Sequence, residues 1–372
     1  MDNIASSYLG VYYAEKMINC YDIHKNNSYL CGMKKIIVAI DSLKGCLTSV
    51  EANAAACRGI KACHPEVEVV QIPVSDGGEG WTEAFHAAIG GELVVTEVHD
   101  PLMRPIRACY LRKGELAVIE MAKASGLTLL KPEERNPMVA STFGTGELIA
   151  DAIRKGCKRF IVGLGGSATS DAGMGMLEAL PDNLLNLEFN IATDVTNPLC
   201  GPMGAAHVFG PQKGATPEMV EMLDERARAF AERSALQMGY DCSMNPGAGA
   251  AGGIGYAFMQ YLHAESRSGI DLLLDTIGFD KMLEDADMVI TGEGSSDGQT
   301  LMGKLPSGIL RRAKLHSVPV ALIAGRIADR EVLLEAGFAE VACINPVGLP
   351  LEEAMKPEVA KENISHTLSQ LL

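Results

Sequence analysis

Short apolar runs that stop abruptly at polar, glycine-rich loops constrain this chain most. KIIVAI at 35–40 passes straight into Asp41-Ser42-Leu43-Lys44-Gly45. VEVVQIPV at 67–74 passes into Ser75-Asp76-Gly77-Gly78-Glu79-Gly80. FIVG at 160–163 passes into Leu164-Gly165-Gly166-Ser167, and DMVIT at 287–291 into Gly292-Glu293-Gly294. Runs this short, rich in β-branched residues and separated by helix-length segments, read as strands buried on both faces of a parallel sheet. In such sheets the ligand crevice lies beyond the carboxyl ends of the strands, where these loops fall.

The alternation is strongest at 33–75. It returns after 286, where DMVIT, VPVALIA and EVACI are short buried strands. Between them, 92–122 reads as strands joined by hairpins. The pattern predicts an α/β protein. A discontinuous Rossmann- or flavodoxin-like parallel-sheet domain (33–75 plus 286–372) carries a second, irregular α+β domain (76–285) inserted into it, with the active site in the interdomain cleft. Helices are expected near 49–63, 145–155 and 358–372, and over 216–238, where Thr216-Pro217-Glu218 is a cap followed by proline at the first helical position. Residues 1–32 read as an N-terminal extension without a signal peptide, and the compact fold is expected to begin at Met33.

The net charge of −15 argues against nucleic-acid or anionic-membrane partners. An anionic substrate would therefore need a local basic pocket. No run reaches the ~18 apolar residues of a membrane span. The ten cysteines form no C-x-x-C pair and no zinc spacing, which suits reduced thiols in a cytoplasmic protein.

Several loops combine acids, lysines and glycines. Gly163, Gly165 and Gly166 precede Ser167 and Thr169, a layout that can hold phosphate on backbone N–H groups. No lysine follows at the P-loop position, so any positive charge must come from elsewhere. The strand-like run in LEFNIATDV (187–195) ends at Asp194, Lys213 lies on a glycine-bounded loop, and Glu293, Asp297 and Lys304 follow DMVIT. Acids without His/Cys ligands favour Mg²⁺ over a transition metal. Each loop alone is equally a helix cap, an Asx-turn or a tight corner.

Taken in order, DSLKGCLTS, PVSDGGEG, GLGGSATSDAGMGM, DVTNPLCGPMGA, FGPQKGATPEM, PGAGAAGGIG and VITGEGSSDGQTLMGK resemble the motifs of the bacterial glycerate kinases, the two-domain type unrelated to P-loop kinases. The resemblance runs from about Met33 to the C-terminus. It implies Mg²⁺- and ATP-dependent phosphorylation of D-glycerate, at the 2-hydroxyl. The partners expected are D-glycerate and ATP, with a homodimer as a possible assembly. On this reading Gly165, Gly166, Ser167, Ala168 and Thr169 cradle the nucleotide phosphates. Lys44 and Lys213 are candidates for the missing positive charge, and Lys44, Lys213 or Lys304 pairs with the substrate carboxylate. Asp41, Ser42, Asp76, Gly77 and Gly78 complete the substrate site. Glu293 and Asp297 hold Mg²⁺, and Asp194 accepts the hydroxyl proton. A catalytically silent binding protein and a kinase for another small hydroxy acid are the alternatives.

Two departures from the family pattern stand out. A glycine-rich segment of a few tens of residues, usual after GMGMLEAL, is missing, and Leu180 passes directly to Pro181. Ser295 stands where the family's GEG loop usually has arginine, and serine cannot replace that charge. Ser170 and Ala172 stand where asparagine and glycine are usual.

Overall fold

The computed structural model describes residues 33–75, 78 and 80–372. The expectations for 1–32, Asp76 and Gly77 lie outside the described residues. In chain order the strands and principal helices begin with β1 (Lys35–Ile40), α1 (Ser49–Cys63), β2 (Glu68–Gln71), α2 (Trp81–Ile89), β3 (Glu92–His99), β4 (Pro105–Lys113) and β5 (Leu116–Glu120). Next come α3 (Phe143–Arg154), β6 (Arg159–Gly163), α4 (Met174–Ala179), β7 (Glu188–Ala192), α5 (Pro217–Met238), α6 (Ala250–Leu262) and β8 (Glu265–Arg267). The chain closes with α7 (Gly269–Ile277), α8 (Phe279–Leu283), β9 (Met288–Ser296), α9 (Leu305–Leu315), β10 (Val320–Ile327), β11 (Glu340–Cys343) and α10 (Pro357–Leu371).

One sheet has the order β11-β10-β9-β1-β2 and is wholly parallel. The other, β3-β4-β5-β6-β7-β8, begins with two antiparallel hairpins and becomes parallel from β5 onward. Side-chain alternation sorts the buried residues into layers. Ile36, Val38 and Ile40 pack under α1 and α10, on Ala52, Ala56, Ile364 and Leu368. Ile37 and Ala39 face the other way, into a core with Trp81 and Phe85 of α2, Leu273 of α7 and Ile309 of α9. Val118 and Ile161 of the second sheet reach that same core, while Ala117, Ile119, Phe160 and Val162 pack outward on α3, α4 and α6. The two sheets therefore share a middle helical layer.

Two strands differ from their sequence expectation. β2 stops at Gln71: Ile72 N–H still donates to Val38 of β1 (2.8 Å), but the Ile72 carbonyl accepts from the Asn53 amide in place of a β1 N–H. β9 runs on through the GEGSS stretch to Ser296, because β10 is long enough to pair with it, Arg326 against Ser295 and Ile327 against Ser296. Gly292 belongs there for space, since a Cβ would sit 2.4 Å from the Ile323 carbonyl oxygen.

The carboxyl ends of β1 and β2 are pinned by one buried amide. Asn53 is fully buried; its Oδ1 accepts from Ile40 N–H (3.0 Å) and its Nδ2 donates to the Ile72 carbonyl (3.1 Å). The amide satisfies main-chain groups that would otherwise lie buried and unpaired, and it fixes where Asp41 leaves the sheet.

Candidate active site

Successive strands are added on one side from β1 to β2 and on the other from β9 to β11, which makes the place between β1 and β9 the topological switch point of the parallel sheet. A cavity of about 500 Å³ opens there. From β1 its wall takes Asp41, Ser42 and Lys44, and from β9 and the following segment Glu293, Ser295 and Lys304. Lys44 is placed by a tight turn. Leu43 and Leu47 exchange backbone hydrogen bonds (both 2.9 Å) and are buried, while Gly45 takes the left-handed conformation (φ +74°) that closes the loop. This leaves Lys44 exposed at the turn tip, and among the described residues it has no ion-pair partner.

Glu293 is an anchor as well as a wall residue. Its Oε1 accepts from the hydroxyls of Ser296 (3.0 Å) and Thr300 (2.6 Å), and Oε2 lies 3.8 Å from Lys304 Nζ. Asp297 does not line the cavity, and its Oδ1 accepts from Gln299 N–H (2.8 Å) as the cap of a short helical turn. Among the described residues no group of three His, Cys, Asp or Glu side chains is placed to hold a metal. Mg²⁺ in phosphoryl-transfer sites needs only one or two protein carboxylates, the rest being phosphate and water oxygens. Of the two acids expected to hold Mg²⁺, Glu293 lines the cavity and Asp297 does not, while Asp41 lines it as well.

The Gly163–Thr169 stretch does more internal work than its composition suggests. Gly166 is exposed and Gly165 half-buried, but Ser167, Ala168 and Thr169 are buried. Ala168 N–H donates to the Ser125 carbonyl (2.9 Å). Lys213 lies beneath the loop, 2% exposed, with Nζ donating to Ser167 Oγ (2.8 Å) and to the Thr169 carbonyl (2.6 Å). Asp171 ties the loop to the start of α3, accepting from Thr142 N–H and Oγ1 (both 2.8 Å). Ala172 adopts φ +54°, a conformation that suits glycine, the residue usual there. The glycines of α6 pack on the same loop, as Gly252 lies so close that a Cβ would meet the Thr169 carbonyl oxygen at 1.9 Å. Only Gly165 and Gly166 therefore present main chain outward.

Burial pushes the Lys213 amine down from its usual 10.5 to about 7, against the pull of Asp171. The folded chain then releases this proton near pH 7, while the unfolded chain keeps it to about 10.5. Stability gains a term that rises with pH from about 7 upward and is flat below. Thermal melts from pH 6 to 9 should show that rise in the wild type and lack it in Lys213→Met. Equal slopes in both would place the titration elsewhere.

Asp194 lies apart from the switch-point group. It lines a second cavity of about 750 Å³ at the carboxyl ends of β7 and β8, with Thr193, Asn245, Arg267 and Arg311. Arg311 pairs with Asp271 (2.6 Å) and Arg267 with Asp275 (2.5 Å). The two cavities share a wall: Met302 and Gly303 face the larger, Lys304 and Leu305 the smaller. The shortened connection at 180–187 enters β7 at its amino end, the far end from Asp194, and lines neither cavity. Sequence reasoning missed Arg326 and Asn345 in the smaller cavity and Arg267 and Arg311 in the larger. For Arg326 the signal was present, because VALIAG ends in Gly325-Arg326, the same strand-end pattern as the other loops.

The family model for "Glycerate kinase family" matches residues 36–186 and 180–372. A glycerate kinase of Bacillus subtilis (strain 168) is 41% identical over 355 aligned positions, covering 87% of this chain and 93% of its own length. Since 87% of 372 residues is about 324, roughly 30 of those positions have no residue here. The two family matches meet at 180–186, where the expected segment is missing. A glycerate 2-kinase of Escherichia coli (strain K12) is 39% identical over 327 positions, covering 79% of this chain and 86% of its own. A solved structure from Salmonella typhimurium LT2, provisionally described as a glycerate kinase 2, superposes with a TM-score of 0.81 at 37% identity, over 91% of this chain and 97% of its own. With the family matched on both sides of the missing segment, and the fold shared almost end to end, this chain belongs to the glycerate kinase family.

Proposed function

We propose that this chain transfers the γ-phosphoryl group of ATP to the 2-hydroxyl of D-glycerate, forming 2-phospho-D-glycerate in the cytoplasm. One observation carries the reading. Asp41, Ser42, Lys44, Glu293 and Lys304, from opposite ends of the sequence, converge on one switch-point cavity. Phosphoryl transfer needs positioning and charge neutralisation above all, and this cavity brings cations to an otherwise acidic protein.

In this mechanism Lys44 and Lys304 neutralise the transferred phosphoryl group and the acid's carboxylate. Asp41 and Ser42 orient the acceptor by hydrogen bonds. The main chain at Gly165 and Gly166 meets nucleotide phosphate, with Lys213 bracing the loop from below. Glu293 would hold Mg²⁺ carried on the phosphates, which neutralises charge on the transferred group. Asp194 takes the hydroxyl proton from the adjoining cavity, which requires the acceptor hydroxyl to point across the 302–305 wall.

Asp194→Asn should lower kcat by about 10²–10⁴, the range of general-base contributions. A loss under tenfold would remove Asp194 from that role. Turnover with D-glycerate, lactate and tartrate, compared side by side, tests the acceptor; faster turnover of either rival acid would overturn glycerate as the substrate.

A further inference from the structure

Among the described residues the cavity holds a cation, Arg326, that none of these roles uses. Arg326 sits at the carboxyl end of β10, in register with Ser295 on β9, and both residues line the switch-point cavity. In a parallel pair, residues in register point to the same side, and neighbouring strands lie about 4.8 Å apart. Ala324 pairs with Glu293 one step earlier, so Arg326 and Ser295 share the face that carries Glu293.

The backbone under Arg326 is fixed. The Gly325 carbonyl accepts from Asn345 Nδ2 (2.8 Å), and Asn345 is held in turn by Asn363 Nδ2 (3.1 Å). The side chain is exposed, and among the described residues it has neither an ion-pair nor a hydrogen-bond partner. A guanidinium anchored at its root and unpartnered at its head, beside Lys44 and Lys304, is suited to bidentate binding of an oxyanion.

We infer that Arg326 binds an oxyanion of the reactants, supplying from β10 the guanidinium that an arginine at position 295 would supply from β9. This rests on the glycerate-kinase reading. The oxyanion is either the carboxylate of the acid or a phosphate of the nucleotide, and kinetics separates the two.

The test uses the full-length chain, with D-glycerate and Mg²⁺-ATP varied independently. Arg326→Ala should raise one KM by about 10–100-fold, the range for a lost charged hydrogen bond. A raised KM for glycerate identifies the carboxylate, and a raised KM for ATP identifies a phosphate. Arg326→Lys should recover only part of the loss, since an ammonium lacks the fork. The exchange variant, Ser295→Arg with Arg326→Ser, should return the affected KM to within about fivefold of wild type. Arg326→Gln serves as a second deletion of the charge if the alanine variant melts early. Wild-type-like kinetics in Arg326→Ala, or an exchange variant no better than Arg326→Ser alone, would overturn the inference. Calorimetric titration with D-glycerate and with Mg²⁺-ATP judges Arg326 without turnover. An inactive wild type that still loses affinity on Arg326→Ala would thus sink the kinase reading and not the inference.

Discussion

Lys44→Met should lower kcat/KM for D-glycerate by about 10²–10³-fold while leaving the melting temperature within a degree or so of wild type. The activity loss follows from removing one electrostatic donor aimed at developing charge, an effect of about 2.7–4 kcal/mol. The stability expectation follows from placement. Lys44 is exposed at the tip of a turn closed by Leu43, Leu47 and Gly45, none of which the substitution touches. Steady-state kinetics and a thermal melt on the same sample separate the two effects. A variant that keeps wild-type kcat/KM would show that the cavity at the end of β1 is not where charge is handled.

Gly252→Ala should be strongly destabilising, because it combines a left-handed backbone with a close main-chain contact. Gly252 has φ +74°, where a Cβ costs about 1–2 kcal/mol. That Cβ would also stand 1.9 Å from the Thr169 carbonyl oxygen and 2.8 Å from Ser170 Cα, so main chain and not a flexible side chain must move. Overpacking adds about 1–3 kcal/mol, for a total of about 2–5. The movement is delivered to the loop carrying Gly165 and Gly166, and the KM for ATP should rise along with a fall in the urea midpoint. Ala251→Gly, at the neighbouring left-handed residue (φ +51°), is the control and should match or exceed wild-type stability. Unchanged stability in Gly252→Ala would mean that α6 and the 165–170 loop do not pack as closely as described.

Much of the architecture was legible because its signals are local. The alternation of buried runs and helices marked both sheets, the hairpins at 92–120 broke that rhythm visibly, and Thr216-Pro217 marked the start of α5. What escaped were features set by partners distant in sequence. DMVIT ends in a glycine-rich stretch that looks like a loop, but β10, thirty residues on, holds it as strand to Ser296. The glycines at 247–253 read as a glycine-rich entry to a helix, and what the sequence did not show is that Gly249 and Gly252 are needed where they meet the Pro198 and Thr169 carbonyls. Lys213 was expected to bring charge to the nucleotide or the substrate carboxylate, but the tertiary structure buries it under Ser167. The site was legible as a set of loops and not as a geometry. Five residues gathered at the end of β1 and β9, while Asp194 fell behind the wall at 302–305 and Asp297 turned to its own helix cap.

Phosphoryl transfer from ATP to the 2-hydroxyl of glycerate should be carried out by a chain that lacks the segment after Leu180. Phosphorus NMR of a reaction holding the full-length protein, Mg²⁺-ATP and D-glycerate tests it most directly. ADP and 2-phospho-D-glycerate should accumulate in equal amounts, and neither should form when glycerate is omitted. Accumulation of the 3-phospho isomer would contradict the assigned hydroxyl, and a folded sample that forms no phosphoglycerate would contradict the kinase itself.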